Sequence, residues 1–187
     1  LNNKNKKLYI FDLWQTLADS DFNLFKKITD ILNNSVSIED LVDELSRSEV
    51  FLKNTPIDYS LPTFLKKFTD DSKKINSILL LWKSAPENTY LIDGVENKIK
   101  KLKEHGAILC LMSNTDKFGY ENFKFKKFID NFDLTFLSYL EGMAKPELAC
   151  WSVIMKNFEI ENTETIMIGN SFKQDIEPAR KLGIEAI

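Results

Sequence analysis

The chain of 187 residues has room for one domain, or for a core with a small accessory lobe. Hydrophobic residues at 43% and aromatics at 12%, with only 6 Gly and 5 Pro, exclude disordered and fibrous chains. A net charge of -3 leaves no basic footprint for nucleic acid, and no apolar run approaches the roughly 20 residues that span a bilayer, so neither nucleic acid nor membrane is an expected partner.

The first residues, Leu1 to Lys7, are polar and lack the apolar core of a signal peptide, which makes a reducing cytoplasm the expected location. Leu8-Tyr9-Ile10-Phe11 is a β-prone run ending at Asp12, and it predicts a buried strand with a carboxylate at its carboxyl end. Ligands of open α/β sheets bind at that edge. Beyond Asp19 the period lengthens: Phe22, Phe25, Ile28, Ile31 and Leu32 share one helical face, and Ile38, Leu41, Val42 and Leu45 share another. Helical patterns around Leu61 to Phe68 and Ile75 to Trp82 follow. The stretch from Asp21 to Pro86 therefore reads as an all-helical insert without a strand.

From there strands and helices alternate, the rhythm of a parallel sheet. Val95 to Glu104 predicts a helix ending at Gly106, Ala107 to Met112 a buried strand, and Leu134 to Leu137 another. Pro146 suits the first turn of a helix carrying Leu148, Trp151, Ile154 and Met155. Thr165 to Ile168 predicts a further strand that runs into Gly169-Asn170-Ser171, and Asp175 to Leu182 a helix closed by Gly183. The chain begins without Met and stops in the apolar segment Ile184 to Ile187, so a shortened last strand is expected. The fold class is α/β: a doubly wound, Rossmann-like parallel sheet over residues 1–18 and 88–187, with a small helical cap over residues 19–87.

Several reactive residue types have ordinary readings. Cys110 and Cys150 sit in apolar patterns and read as small buried hydrophobes rather than a disulfide or metal pair. His105, the sole histidine, stands before Gly106 at a helix end, where it caps the helix, and without it no Ser/His/Asp triad assembles. Arg47 and Arg180 are the only arginines, so a clamp on carboxylate or phosphate comes from them or from Lys.

Strand ends and nearby loops present Asp12, Ser113-Asn114, Lys145 and Asn170 to Asp175 to one crevice. A carboxylate is a weak nucleophile unless it is oriented and the developing charge is stabilised, so a Lys, a hydroxyl and usually a divalent cation must converge on it. In that order the segments Phe11 to Leu17, Ile108 to Thr115, Ala144-Lys145-Pro146 and Ile166 to Gly183 resemble the four motifs of the haloacid dehalogenase superfamily. The resemblance implies Asp12 as covalent nucleophile, Ser113 as a hydrogen-bond donor to substrate, Lys145 as charge stabiliser, and Asp175 as the acidic residue for metal or water. It also implies Mg²⁺ held by Asp12, Asn170 and Asp175 with the Trp14 carbonyl.

Three positions depart from the phosphatase branch of that family. Trp14 stands where it carries a second Asp as general acid and base, Gln15 where it usually has Gly, and Asn170 where it usually has Asp. The 2-haloacid dehalogenase branch has an aromatic residue at the position of Trp14 and needs no metal, because halide leaves without a proton. In that reading Trp14, Asn114 and Arg47 bind the substrate, yet Phe172, Gln174 and Trp151 depart from the branch's pattern. The leading expectation is a hydrolase of small phosphorylated metabolites with good leaving groups. Metal-free carbon–halogen hydrolysis and a catalytically weak member that binds a ligand or partner are the alternatives. The sequence leaves the oligomeric state open.

Overall fold

The computed structural model describes residues 7–187, and the part of the expected core assigned to residues 1–6 lies outside the described residues. In chain order the strands are β1 (Leu8–Phe11), β2 (Ala18–Ser20), β3 (Thr89–Leu91), β4 (Ile108–Ser113), β5 (Leu134–Leu137), β6 (Thr165–Ile168) and β7 (Glu185–Ala186). Five of them form one sheet in the order β5-β4-β1-β6-β7, and every pair in it is parallel. The chain builds from β1 to one side through β4 and β5, then returns to the other side with β6 and β7. The carboxyl end of β1 is therefore the switch point at which such sheets open a crevice.

Strand residues alternate between two apolar layers, as a sheet covered on both faces requires. Leu8, Ile10, Cys110, Met112 and Met167 face Trp151 and Ile154 of one helix (Ala149–Phe158) and Ala179 of another (Glu177–Lys181). Tyr9, Phe11, Leu109, Leu111 and Ile166 face Ile99 of a helix at Val95–Glu104 and Phe128 and Ile129 of a short one at Lys126–Ile129. The doubly wound α/β core expected from the sequence is present. Cys110 and Cys150 are free and buried inside the first layer. Burial, with the Glu147 charge behind it, pushes the Cys150 thiol up to about 12, and burial pushes Cys110 higher still, so both behave as packing residues. His105 caps the Val95–Glu104 helix, its Nδ1 lying 2.6 Å from the Lys101 carbonyl.

Between β2 and β3 lie α1 (Leu24–Ile31), α2 (Ile38–Ser46), α3 (Glu49–Leu52), α4 (Ile57–Leu65) and α5 (Ser72–Ser84). Their inward faces form a separate apolar cluster that includes Ile28, Leu41, Leu45, Leu61, Leu65, Ile78 and Trp82. Ser37 and Asp71 open α2 and α5 by accepting backbone N–H groups of Asp40 (3.0 Å) and Lys73 (2.8 Å). Residues 21–86 hold no strand, as expected, although the cap drawn over residues 19–87 takes in Asp19 and Ser20 at the end of β2. Its two roots pair as an antiparallel ribbon, Ala18 with Leu91, Asp19 with Tyr90 and Ser20 with Thr89. Three residues including Asp and Ser carry no periodic signal, and the pairing exists only because the helices bring distant segments together.

Two further expectations change. Pro146 does not open a helix: it follows a cis Lys145–Pro146 bond, and the helix begins at Ala149. The segment after Gly169 starts with a wide turn over Phe172–Ile176, in which the Ile176 N–H donates to the Ser171 carbonyl at 3.2 Å, before the helix of Glu177–Lys181. Among the described residues no helix is long and apolar enough to cross a membrane.

Ile78 is fully buried in the helical insert. Ile78→Ala is expected to lower unfolding free energy by about 2–5 kcal/mol, as large-to-small core substitutions do, read as a fall in the urea midpoint at unchanged slope.

Candidate active site

Asp12 follows directly on β1, anchored by its N–H donating to the Ile168 carbonyl at 2.9 Å. The chain then reverses sharply. The N–H groups of Leu17 and Ala18 both donate to the Leu13 carbonyl at 2.9 Å, and the Gln15 N–H donates to the Ala18 carbonyl at 2.7 Å. Gln15 adopts φ 60°, a left-handed conformation that costs a non-glycine residue on the order of 1–2 kcal/mol. The turn sets Trp14 and Gln15 on the rim beside Asp12.

Lys145 lies between two carboxylates. Its Nζ donates to Asp12 Oδ1 and to Asp175 Oδ1, both at 2.6 Å, and all three side chains are buried. One cation thus serves two anions in a low-dielectric setting. Burial pushes the Asp12 carboxyl above its usual range, the Lys145 charge pulls it down, and the Asp175 charge pushes it up again. For Lys145 burial acts downward, but the two neighbouring carboxylates outweigh it and raise the ammonium above its ordinary value. The lysine therefore stays charged, as a stabiliser of developing negative charge must.

The backbone around this triad is fixed by short-range chemistry. Asn114 Nδ2 donates to the Lys145 carbonyl at 2.8 Å while the Lys145 N–H donates to Asn114 Oδ1 at 2.9 Å, a reciprocal pair that locks the lysine's segment to the loop after β4. The Ser171 N–H donates to Asp175 Oδ2 at 2.9 Å. Gly169 is required for space: a Cβ there would stand 2.5 Å from Asp175 Cγ and Oδ2. Ser113 ends β4 on the strand next to β1, fully buried, and its Oγ has no hydrogen-bond partner among the described residues. A buried hydroxyl without a partner is an unusual expense in a folded protein unless a ligand meets it.

The structure brings Asp12, Ser113, Lys145 and Asp175 to the carboxyl edge of the sheet. Trp14 lines the cavity there, its ring held edge-on against Phe123 at 5.7 Å. Asn170 lies on the rim, where its Nδ2 donates to Gln15 Oε1 at 2.8 Å. Of the other two expected substrate-binding residues, one lies away from the cavity and one lines it. Arg47 is exposed at the end of α2 and does not line the cavity, because Ile38, Val42, Asp43 and Ser46 form the inward stripe and Arg47 falls one position past it. Asn114 lines the cavity, but its amide is engaged by Lys145, so its evident role is to position the lysine.

The cavity measures about 620 Å³ and runs from Asp12 and Asp175 to the apolar underside of the insert. Sequence reasoning missed Asp116 and Trp82 at its far end. Asp116 caps the helix at Lys117–Glu121 by accepting the Gly119 N–H at 2.9 Å, and its Oδ2 accepts the Trp82 indole N–H at 3.2 Å. No local pattern signals this contact, because Asp116 meets a tryptophan 34 positions earlier in the chain. Lys173 also ties core to insert, binding Asp43 of α2 and lying 3.6 Å from Glu39.

The model of the haloacid dehalogenase-like hydrolase family matches residues 9–187, and the chain belongs to that family. Among solved structures, a family enzyme of Bacteroides thetaiotaomicron in complex with magnesium and inorganic phosphate superimposes with a TM-score of 0.68 at 21% identity, over 97% of this chain and 93% of the other. A phosphatase of Thermococcus onnurineus gives 0.61 at 19% identity, over 96% and 84%. A 2-haloacid dehalogenase of Pseudomonas syringae gives 0.63 at 16% identity, over 97% and 85%. No protein of curated function matches the chain in sequence.

Lys145→Met leaves two buried carboxylates without their cation and is expected to cost about 3–5 kcal/mol at neutral pH. Because Lys145 and Asp12 both have raised values, the stability each contributes is present at low pH and lost as pH rises through its folded value. Protonation of Asp12 in acid relieves the repulsion in the variant, so the gap to wild type should narrow as pH falls from 7 toward the carboxyl range of about 4. Urea titrations across that range check it; a gap that widens in acid counts against the shared-cation description.

Proposed function

We propose that the chain is an Asp12-based hydrolase of small phosphomonoesters, with the helical insert acting as a cap over the substrate. The observation that carries this reading is the Lys145 ammonium bridging Asp12 and Asp175 at 2.6 Å each, with the unpartnered Ser113 hydroxyl at the end of the neighbouring strand β4. Lys145 holds Asp12 Oδ1, so Oδ2 is the oxygen that attacks phosphorus. The P–O bond to the leaving group breaks, and its electron pair departs on the leaving oxygen. Water then hydrolyses the aspartyl phosphate, with Asp175 placed to orient it. Ser113 and Lys145 meet the phosphoryl oxygens as charge builds on them.

The donor set also suits a hard cation. Asp12, Asp175, Asn170 Oδ1 and the Trp14 carbonyl offer oxygen only, and Asn170 keeps Oδ1 clear because its amide nitrogen is engaged by Gln15. Among the described residues no three acidic, His or Cys side chains are grouped to hold an ion alone. Mg²⁺ is typically bound through one or two carboxylates together with substrate phosphate, so these residues fit it as a site completed by substrate. When bound it would neutralise phosphoryl charge. The Bacteroides relative, solved with magnesium and phosphate, supports the same chemistry here.

The indole of Trp14 cannot protonate a departing alkoxide. Leaving groups that are stable as anions, aryl or acyl, are therefore the preferred class, since general acid catalysis typically contributes about 10²–10⁴ in rate. Carbon–halogen hydrolysis is less well supported. A 2-haloacid needs a cation for its carboxylate, Arg47 lies outside the cavity, and the Asn114 amide is already engaged.

Phosphate release from phenyl phosphate and acetyl phosphate should require Mg²⁺, stop with chelator and vanish in Asp12→Asn. Halide release from 2-chloropropionate that survives chelation, with no phosphate release, would instead establish the dehalogenase reading. Trp14→Asp should raise turnover of an alkyl phosphate by about 10²-fold or more while changing that of acetyl phosphate little; equal changes for both substrates would remove the leaving-group argument.

A further inference from the structure

The end of the cavity away from Asp12 combines apolar walls with one buried charge. Leu24, Phe25, Val42, Phe51 and Trp82 supply the walls, and Asp116, 5% exposed, supplies the charge. Its two oxygens accept N–H groups from Gly119 and Trp82, yet among the described residues no cation pairs with it. Buried carboxylates are normally paired, because hydrogen bonds alone leave most of the desolvation cost in place. Burial accordingly pushes the Asp116 carboxyl up, against the pull of its donors.

Charge along the rest of the cavity points the same way. Asp12, Asp19, Glu39, Asp43 and Asp175 line it with Asp116, whereas Lys173 is the one lining cation among the described residues and already serves Asp43 and Glu39. Lys145 is committed to Asp12 and Asp175. A leaving group carrying a carboxylate or second phosphate would enter this space with no cation to receive it. An ammonium group on an apolar or aromatic frame would meet aromatic faces and a carboxylate that lacks a counter-ion.

We propose that the substrate is a phosphomonoester whose leaving group is an aromatic frame bearing an ammonium group, with Asp116 as the counter-ion of that group. This rests on the phosphomonoester reading for the reacting end and assigns the other end independently. The cavity volume of about 620 Å³ holds such a molecule entire, within the range of about 300–1,000 Å³ of small-molecule sites.

The test uses three ligands of one shape, phenethylamine, 2-phenylethanol and 3-phenylpropanoate, titrated against the full chain while tryptophan emission is followed, since Trp14 and Trp82 line the cavity. Phenethylamine should bind about tenfold more tightly than the alcohol and more tightly still than the carboxylate. Asp116→Asn should abolish the amine's advantage and leave alcohol binding in place. The proposal is overturned if the carboxylate binds as well as the amine, if none of the three saturates, or if folded Asp116→Asn keeps the preference. Should that variant not fold, the wild-type ranking decides alone. Phosphate release from tyramine phosphate, measured separately, tests the reaction: amine preference without phosphate release would leave Asp116 assigned and the phosphomonoester reading refuted.

Discussion

Everything at the carboxyl edge of this sheet is organised by one electrostatic constraint: Asp12 and Asp175, both buried, share the single charge of Lys145. Two carboxylates this close would not both ionise in a low-dielectric site without it, and a lysine this buried would not stay charged without them. The constraint explains the surrounding architecture. Asn114 ties the lysine's backbone to the loop after β4, Gly169 leaves the space that Asp175 occupies, and the Ser171 N–H takes the outer oxygen of that aspartate. Asp12 follows β1, Asp175 lies beyond β6 and Lys145 beyond β5, so the parallel sheet, which brings these segments to one edge, is what makes the ion cluster possible.

The cavity divides its chemistry between the two parts of the chain. The core contributes most of the charge, the hydrogen-bond donors and a narrow turn at residues 12–18, whereas the helices between β2 and β3 contribute apolar surface together with Glu39 and Asp43 of α2. Among the ties that join them are Trp82 to Asp116 and Lys173 to Asp43. They differ in kind. The first is a buried hydrogen bond, protected from screening, while the second is an exposed ion pair of the sort worth about 0–1 kcal/mol.

Much of this was legible in the sequence because its signals are local. Apolar runs ending in Asp12, Ser113 and Gly169 mark buried strands with reactive residues at one edge, and helical periodicity marks the insert. What escaped depended on distant partners. The pairing of β2 with β3 has no residue pattern, since Asp19 and Ser20 acquire their partners only when the helices have closed the loop. Arg47 was credible by residue type, yet the phase of α2 turns it to solvent. Asn114 was expected to meet substrate, whereas its amide is engaged by the backbone of Lys145, 31 residues away.

The three departures from the phosphatase pattern, read separately in the sequence, are linked in space. Gln15 and Asn170 come from the ends of β1 and β6 and join through a 2.8 Å amide hydrogen bond across the mouth of the site, with Trp14 beside them. An aspartate at 170 would bring the local side-chain charge from -1, the sum of Asp12, Asp175 and Lys145, to -2. The neutral amide lowers the attraction for a cation in the absence of substrate, and it equally lowers the repulsion felt by an incoming phosphoryl dianion. In the proposed phosphomonoester reaction such a rim would favour metal and phosphate arriving together over a metal resident beforehand. In that proposal Trp14 leaves no internal acid, so the same three residues would shift the demands of the reaction from the protein to the substrate, which would bring part of the ligand set and a leaving group that departs unaided.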